Sequence, residues 1–231
     1  MKDVSDPGPP VFRTIFGVDV EGSTRRTNSA KGGMRSAIYD FVEEALDLNG
    51  ITEHCRDRFV DRGDGLLVLI HPHDKIPKTL LLNKVVPDLC ARLAKYEVDT
   101  GDLIRMRAVL HAGEVHHDSN GVFGEAIDLS CRLLDAVELK DLFRQTASPL
   151  LLVVSELIHD SIVRHGYPGI DERAFFRVTE VELRERLHTG WAWVTDSENR
   201  LVGDTVIDAK DSSVSRPSRW LHRIEPQQRA G

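Results

Sequence analysis

The alternation of apolar and polar positions marks out a few elements, and the rest of the chain is arranged around them. Val11 to Val18 is short and mostly apolar and reads as a strand ending in an acid, Asp19, after which Gly22 turns the chain. Arg25 to Gly33 is polar and predicts a loop leading into a helix. Met34, Ile38, Phe41, Val42, Ala45 and Leu48 recur at helical spacing, and Gly50 stands where a helix-ending glycine belongs. Ile51 to Val60 reads as a mixed strand. It leads to a tight hairpin at Arg62-Gly63-Asp64-Gly65 and the apolar run Leu66 to Ile70.

Further along, Ile76-Pro77 opens a helix to about Val98, with Pro87 inside it as a break or kink. Ile104, Met106, Ala108, Leu110 and Ala112 form one face of a strand. His116 to Gly121 predicts a polar loop with both histidines facing solvent. Gly124 to Ala136 predicts a helix with Ile127, Ser130, Cys131 and Leu134 towards the core. Pro149 to Val154 reads as a strand, and Ser155 as the N-cap of a helix through Val163. Phe175 to Leu183 and Trp191 to Val194 read as a closing hairpin. Strands separated by helices predict a mixed sheet with helices packed on it, α/β or α+β. Periodicity goes no further.

Composition narrows the class. The chain has 231 residues and is 41% hydrophobic, enough for one sizeable core. Residues 1–10, with Pro7, Pro9 and Pro10, read as a flexible leader, and 11–195 as the domain. Residues 196–231 read as a polar tail, disordered over Ser212–Ser218, with Trp220-Leu221 as its one apolar patch. The net charge is −7 and no basic block appears, which argues against nucleic acid as a partner. Three widely spaced cysteines give no disulfide framework. No apolar run approaches about 18 residues, so the expectation is a cytoplasmic protein with no membrane span.

Candidate chemistry collects at two acids. Asp19 ends a buried strand and is followed by Gly22-Ser23-Thr24, and Asp64 lies between two glycines at a hairpin tip. If their strands are neighbours, the carboxylates offer hard oxygens to shared cations, and turn N–H groups can face phosphate oxygens. Each acid also fits a plain turn aspartate bonding its own backbone. Asp128 and Arg132, four apart, share a helix flank, either as a surface ion pair or as a pair projecting into an interfacial site. His71, His73 and Asp74 match no strong zinc spacing.

Four segments together resemble the class III nucleotidyl cyclase catalytic domain. Val18-Asp19-Val20-Glu21-Gly22-Ser23-Thr24 is similar to the family's first metal motif, and Gly63-Asp64-Gly65 to the second. Arg107 to Val115 is similar to the strand before the dimer arm, and Phe123 to Leu133 to the helix bearing the catalytic asparagine and arginine. Leu151 to Ser155 fits the strand and serine that follow.

The resemblance implies a ferredoxin-like α+β fold and a head-to-tail homodimer with shared active sites. It implies that Asp19, Asp64 and the carbonyl of Val20 hold two divalent ions, Mg or Mn. Gly22, Ser23 and Thr24 would offer N–H groups to the phosphates, and Arg132 of the second chain would neutralise the α-phosphate. The closing hairpin lacks the family's triphosphate lysine, so Arg184 or Arg186 is taken as its substitute.

Three positions depart from the purine cyclases. Asp128 stands at the catalytic asparagine position, Val60 replaces the purine-reading lysine, and Gly121 replaces its acidic or polar partner. The altered pocket is more like the pyrimidine (uridylate or cytidylate) cyclases of bacterial anti-phage systems, whose product activates a separate effector. Arg58 or Arg62 would then donate to a uracil carbonyl, with Asp61 as acceptor. The alternatives are an adenylate or guanylate cyclase with an unusual pocket, or a degenerate nucleotide-binding and dimerising module.

Overall fold

The computed structural model describes residues 8–195. The disordered stretch and the apolar patch expected in the tail, and most of the leader, lie outside the described residues. Eight strands form a mixed sheet: β1 (Val11–Val20), β2 (Val60–Asp61), β3 (Gly65–Ile70), β4 (Met106–Asp118), β5 (Gly121–Phe123), β6 (Leu150–Ser155), β7 (Phe176–Leu183) and β8 (Arg186–Val194). Their order is β2-β3-β1-β4-β6-β8-β7, with β5 hairpinned onto the end of β4. Among the described strands, β4 and β6 alone run parallel. The expected α+β architecture is therefore what forms.

Alternation along the strands divides the core. Phe16, Val18 and Val20 of β1, with Met106, Ala108 and Leu110 of β4, face α1 (Asn28–Leu48) and α3 (Val86–Thr100). Ile15, Leu67 and Leu69 face the other way, towards α4 (Glu125–Asp135), and Val109 and Val153 pack with α4 and α5 (Val137–Arg144). By the same alternation Asp19, Arg107 and His111 project on the α4 face, opposite the larger core.

Several elements differ from their sequence reading. Helix α1 starts at Asn28, well before Met34, because the Thr27 hydroxyl caps it and accepts from the Ala30 N–H at 3.3 Å. The second long helix does not break at Pro87. It opens as α2 (Lys78–Leu80), passes through a π segment at Leu81–Val85 and continues as α3. The π segment absorbs the bond that the proline cannot donate. Gly101, at φ 71°, ends it with its N–H on the Glu97 carbonyl.

Ile51 to Val60 is not a full strand. Glu53–Cys55 is a 3-10 turn, and only Val60–Asp61 pairs regularly. The polar side chains here are tied to neighbours instead: Arg56 to Glu43, and Asp57 to Arg13 and His71. His116 and His117 lie in β4 and not in a loop. Asp118 accepts from the Asn120 and Gly121 N–H groups to close the β4–β5 hairpin, and His116 stacks on Phe123. Ser155 does precede α6 (Glu156–Ser161), but its hydroxyl bonds the His111 ring and caps nothing. Among the described residues, no helix is long and apolar enough to cross a membrane.

Candidate functional site

Strand pairing brings the two acids together. Asp19, near the end of β1, lies opposite Gly65 of β3 on one side and Arg107 of β4 on the other. Gly65 is required there, because a methyl group would overlap the Val18 carbonyl oxygen. The Val20 N–H donates to the Asp64 carbonyl at 3.1 Å, which pins the hairpin tip to the end of β1. Gly22, at φ 71°, then takes the left-handed conformation that swings the chain into the Ser23–Arg25 turn. Ser23 is buried, and its hydroxyl donates to the Asp64 carboxylate; Thr24 is exposed.

Two arginines, Arg105 just before β4 and Arg107 within it, hold this end of the sheet. Arg105 bonds the Glu21 carboxylate at 2.7 Å and the carbonyls of Phe143, Thr146 and Ser148, and lies over the Phe143 ring. Arg107 is ion-paired to Asp19. Burial raises the Asp19 carboxyl above its ordinary value; Arg107 opposes that shift, while Asp64 and Asp135 add repulsion. Asp135, at the end of α4, thus lies within electrostatic reach of the pair.

The donor set fits a hard divalent cation. Two carboxylates lie close enough to repel each other, and both supply hard oxygen ligands. Both carboxylates have partners, Arg107 and Ser23, which a bound ion would have to share or replace. Among the described residues no group of three or more His, Cys, Asp or Glu side chains is arranged to hold a metal. Any ion at Asp19 and Asp64 therefore draws its remaining ligands from backbone, water or substrate. His71 bonds Asp57 at 2.9 Å.

The other candidates fall on separate surfaces. Asp128 and Arg132 are exposed on α4 and form no ion pair with each other. Arg132 instead donates to the Glu182 carbonyl of β7 at 3.0 Å. Neither contacts Asp19 or Asp64 within the chain. Arg184 lies in the two-residue turn between β7 and β8, at positive φ with Glu185, and its guanidinium is 3.4 Å from Glu125. Register places that turn at the far end of the sheet: Val194, at the opposite end of β8, pairs with Leu151, which pairs with Arg107. Arg186 is exposed beside the turn.

Val60 is half-buried beside Ile15, Leu67 and Leu69. Arg58 and Arg62 are exposed, and Arg62 lies near enough to Cys131 of α4 to favour its thiolate, although burial dominates and raises that thiol. Asp61 is already taken, by Arg35 and the Gly63 N–H, so its carboxylate is a turn acceptor and not a free contact for a base. Gly121, at φ 142°, begins β5 and offers no side chain.

No protein-family model and no curated protein matches the sequence. Solved structures do match. An adenylate/guanylate cyclase/hydrolase from Silicibacter pomeroyi superposes with a TM-score of 0.56 at 17% identity, over 81% of this chain and 99% of that one. The adenylyl cyclase CyaB from P. aeruginosa gives 0.55 at 15%, over 82% and 96%. The guanylate cyclase domain of RhGC from Catenaria anguillulae, solved with GTP, gives 0.51 at 15%, over 80% and 97%.

The fold is that of a class III cyclase catalytic domain. Within this cyclase fold, sequence reasoning missed Arg107, the Arg105–Glu21 pair and the Ser23–Asp64 bond. One signal was present. Arg105 and Arg107 alternate with the buried Ile104, Met106 and Ala108, so two cations sit on the second face of a core strand. Which acids they meet depends on strand neighbours, and alternation does not give those.

His111 lies on that second face of β4 and is almost wholly buried. Its Nδ1 is 2.8 Å from the Ser155 hydroxyl. Burial, aided by repulsion from His188, pushes its pKa down from 6.5 to about 4. The neutral ring therefore stabilises the fold fully above about pH 6.5, and that stability is lost as pH falls towards 4. The loss amounts to about 3 kcal/mol at most. Urea unfolding of wild type and His111→Gln at pH 7 and pH 4.5 checks this: the glutamine variant loses less stability on acidification.

Proposed function

We propose that the protein is a nucleotidyl cyclase that converts a nucleoside triphosphate to its 3′,5′-cyclic monophosphate and pyrophosphate, with UTP or CTP as substrate. The observation carrying this reading is the juxtaposition of Asp19 and Asp64 at the end of β1 in a cyclase fold. Asp19, Asp64 and the Val20 carbonyl are the groups that would hold two divalent ions, Mg or Mn. Such ions, when bound, make the ribose 3′-hydroxyl more acidic and hold the triphosphate.

The chain's own groups do the positioning. The Gly22-Ser23-Thr24 turn presents N–H groups to the phosphates. The 3′-hydroxyl gives its proton to water as its oxygen attacks the α-phosphorus in line and the bond to the α–β bridge oxygen breaks, so pyrophosphate leaves and negative charge shifts onto that oxygen and the phosphate rim. Arg132 meets that charge. Because Arg132 and Arg184 are exposed and bond Glu182 and Glu125 and not the two acids of their own chain, they would serve the site of a second copy in a homodimer.

Asp128 leaves Arg132's charge intact, since the two do not pair. The catalytic role of Asp128 would then be orientation of the ribose by hydrogen bonding.

The base pocket supports a pyrimidine. Val60 supplies an apolar wall and Gly121 no contact, so neither supplies a hydrogen-bonding side chain to a purine edge. Arg58 and Arg62 are donors suited to the carbonyls of uracil or cytosine. The product would be a second messenger acting on a separate effector in anti-phage defence, a role resting on the likeness to pyrimidine cyclases. An equimolar mixture of ATP, GTP, CTP and UTP with Mn tests the base. A pyrimidine cyclic nucleotide is expected to dominate; preference for ATP or GTP would overturn the pyrimidine assignment.

A further inference from the structure

We infer that Arg107 is the built-in counter-cation of the metal site, holding Asp19 until a divalent ion replaces it and thereby setting how tightly that ion binds. The inference rests on the reading of Asp19 and Asp64 as metal ligands, and concerns a residue to which that reading gives no part. Arg107 faces Asp19 directly in the β1–β4 register. Its side chain is 8% exposed, and that of Asp19 is 19% exposed.

The bonding of Arg107 is sparse compared with its neighbour. Arg105 is fixed by a carboxylate, three backbone carbonyls and an aromatic ring. Among the described residues, Arg107 hydrogen-bonds Asp19 alone, and its buried Nε has no partner. Arg105 shows how a guanidinium at this end of the sheet can have its donors satisfied by several groups. Arg107 is a cation whose one anchor is the carboxylate that the metal needs.

Electrostatics then makes the two occupants competitors. Asp19 and Asp64 repel each other, and Asp135 adds to the negative field. One positive charge offsets that field when no ion is bound. A divalent ion on the same carboxylate would stand a few ångströms from the guanidinium in a poorly solvated site, where like charges repel strongly. Loading therefore costs the Arg107–Asp19 pair. Removing the arginine's charge removes that cost, and it leaves the metal-free acids unbalanced. Arg107 is on this account a positioning residue: it keeps the empty site folded and restrains metal affinity.

The test uses Mn(II) alone, with free ion counted by its electron paramagnetic resonance signal and thermal unfolding followed in parallel. Proteins compared are wild type, Arg107→Met, Arg107→Gln, Arg107→Lys and Asp64→Ala. Arg107→Gln keeps a donor for Asp19 and serves if the methionine variant folds poorly. The neutral variants are expected to bind Mn(II) roughly tenfold or more tightly than wild type. They should melt lower without metal and gain more from it, while Arg107→Lys stays near wild type.

Equal or weaker Mn(II) binding by folded neutral variants, with binding lost in Asp64→Ala, would overturn the inference alone. Binding that survives Asp64→Ala unchanged would overturn the metal-ligand reading and this inference with it.

Discussion

On the proposed cyclase reading, Asp64→Ala is expected to abolish cyclisation, with turnover falling roughly 10³-fold or more while the protein stays folded. A two-metal reaction depends on charge held at fixed points, and losing one carboxylate ligand removes both charge and geometry. Asp64 is the better of the two acids to change. It is bonded to the Ser23 hydroxyl, a neutral partner that can turn elsewhere. Asp19→Ala gives the same loss of turnover but strands the buried Arg107 cation, which by itself costs about 3–5 kcal/mol. Asp19→Asn is the gentler substitution there. Turnover should be measured beside circular dichroism and thermal unfolding. Near-normal activity in folded Asp64→Ala would show that the metal assignment is wrong.

The second large effect is complementation between two dead chains. On the same reading, Asp64→Ala would lack a metal ligand, and Arg132→Ala the arginine offered to the other chain. Each homodimer is inactive on this account. A heterodimer has one site with both defects and one with neither. Random assortment of equal amounts restores about a quarter of wild-type turnover, because half the dimers carry one intact site. The structural basis is the placement of the two groups. Arg132 is on the outer flank of α4 and bonds β7, while Asp64 is pinned to β1 by the Val20 N–H. Two distinguishable tags confirm that heterodimers form. Verified heterodimers without recovered turnover would contradict shared sites.

Much of this arrangement was legible in the chain where burial imposes a period. The alternation from Ile104 to Ala112 marked β4, and the apolar run ending at Asp19 marked β1. The Gly-Asp-Gly hairpin was legible because the turn needs its glycines: Gly63 takes φ 84° and Gly65 lies against the Val18 carbonyl. What stayed hidden had non-local causes. Asp57 drew no attention, yet Arg13 and His71 meet on its carboxylate across the sheet. His116 and His117 looked like loop residues because strand β4 extends beyond its buried half into a polar hairpin.

The candidate site divided in the same way. Asp19 and Asp64 were each readable as the acid that ends or tips an apolar strand, but their meeting rests on the non-local pairing of β1 with β3 across the intervening α1. Asp128 and Arg132 were readable as sharing a helix flank, but not as unpaired. Arg132 finds its acceptor in Glu182, some fifty residues on, through the packing of α4 against β7. Arg107 was visible as a polar residue in an apolar strand; strand order shows that it faces Asp19.

The most direct test of the central claim is product analysis. Purified protein is incubated with Mn and each of ATP, GTP, CTP and UTP separately, and products are identified by mass spectrometry with pyrophosphate assayed beside them. The expected result is a 3′,5′-cyclic pyrimidine monophosphate and pyrophosphate in equal amounts, absent with Asp64→Ala. Nucleoside diphosphate and inorganic phosphate instead, or no product from a folded dimer, would contradict a cyclase.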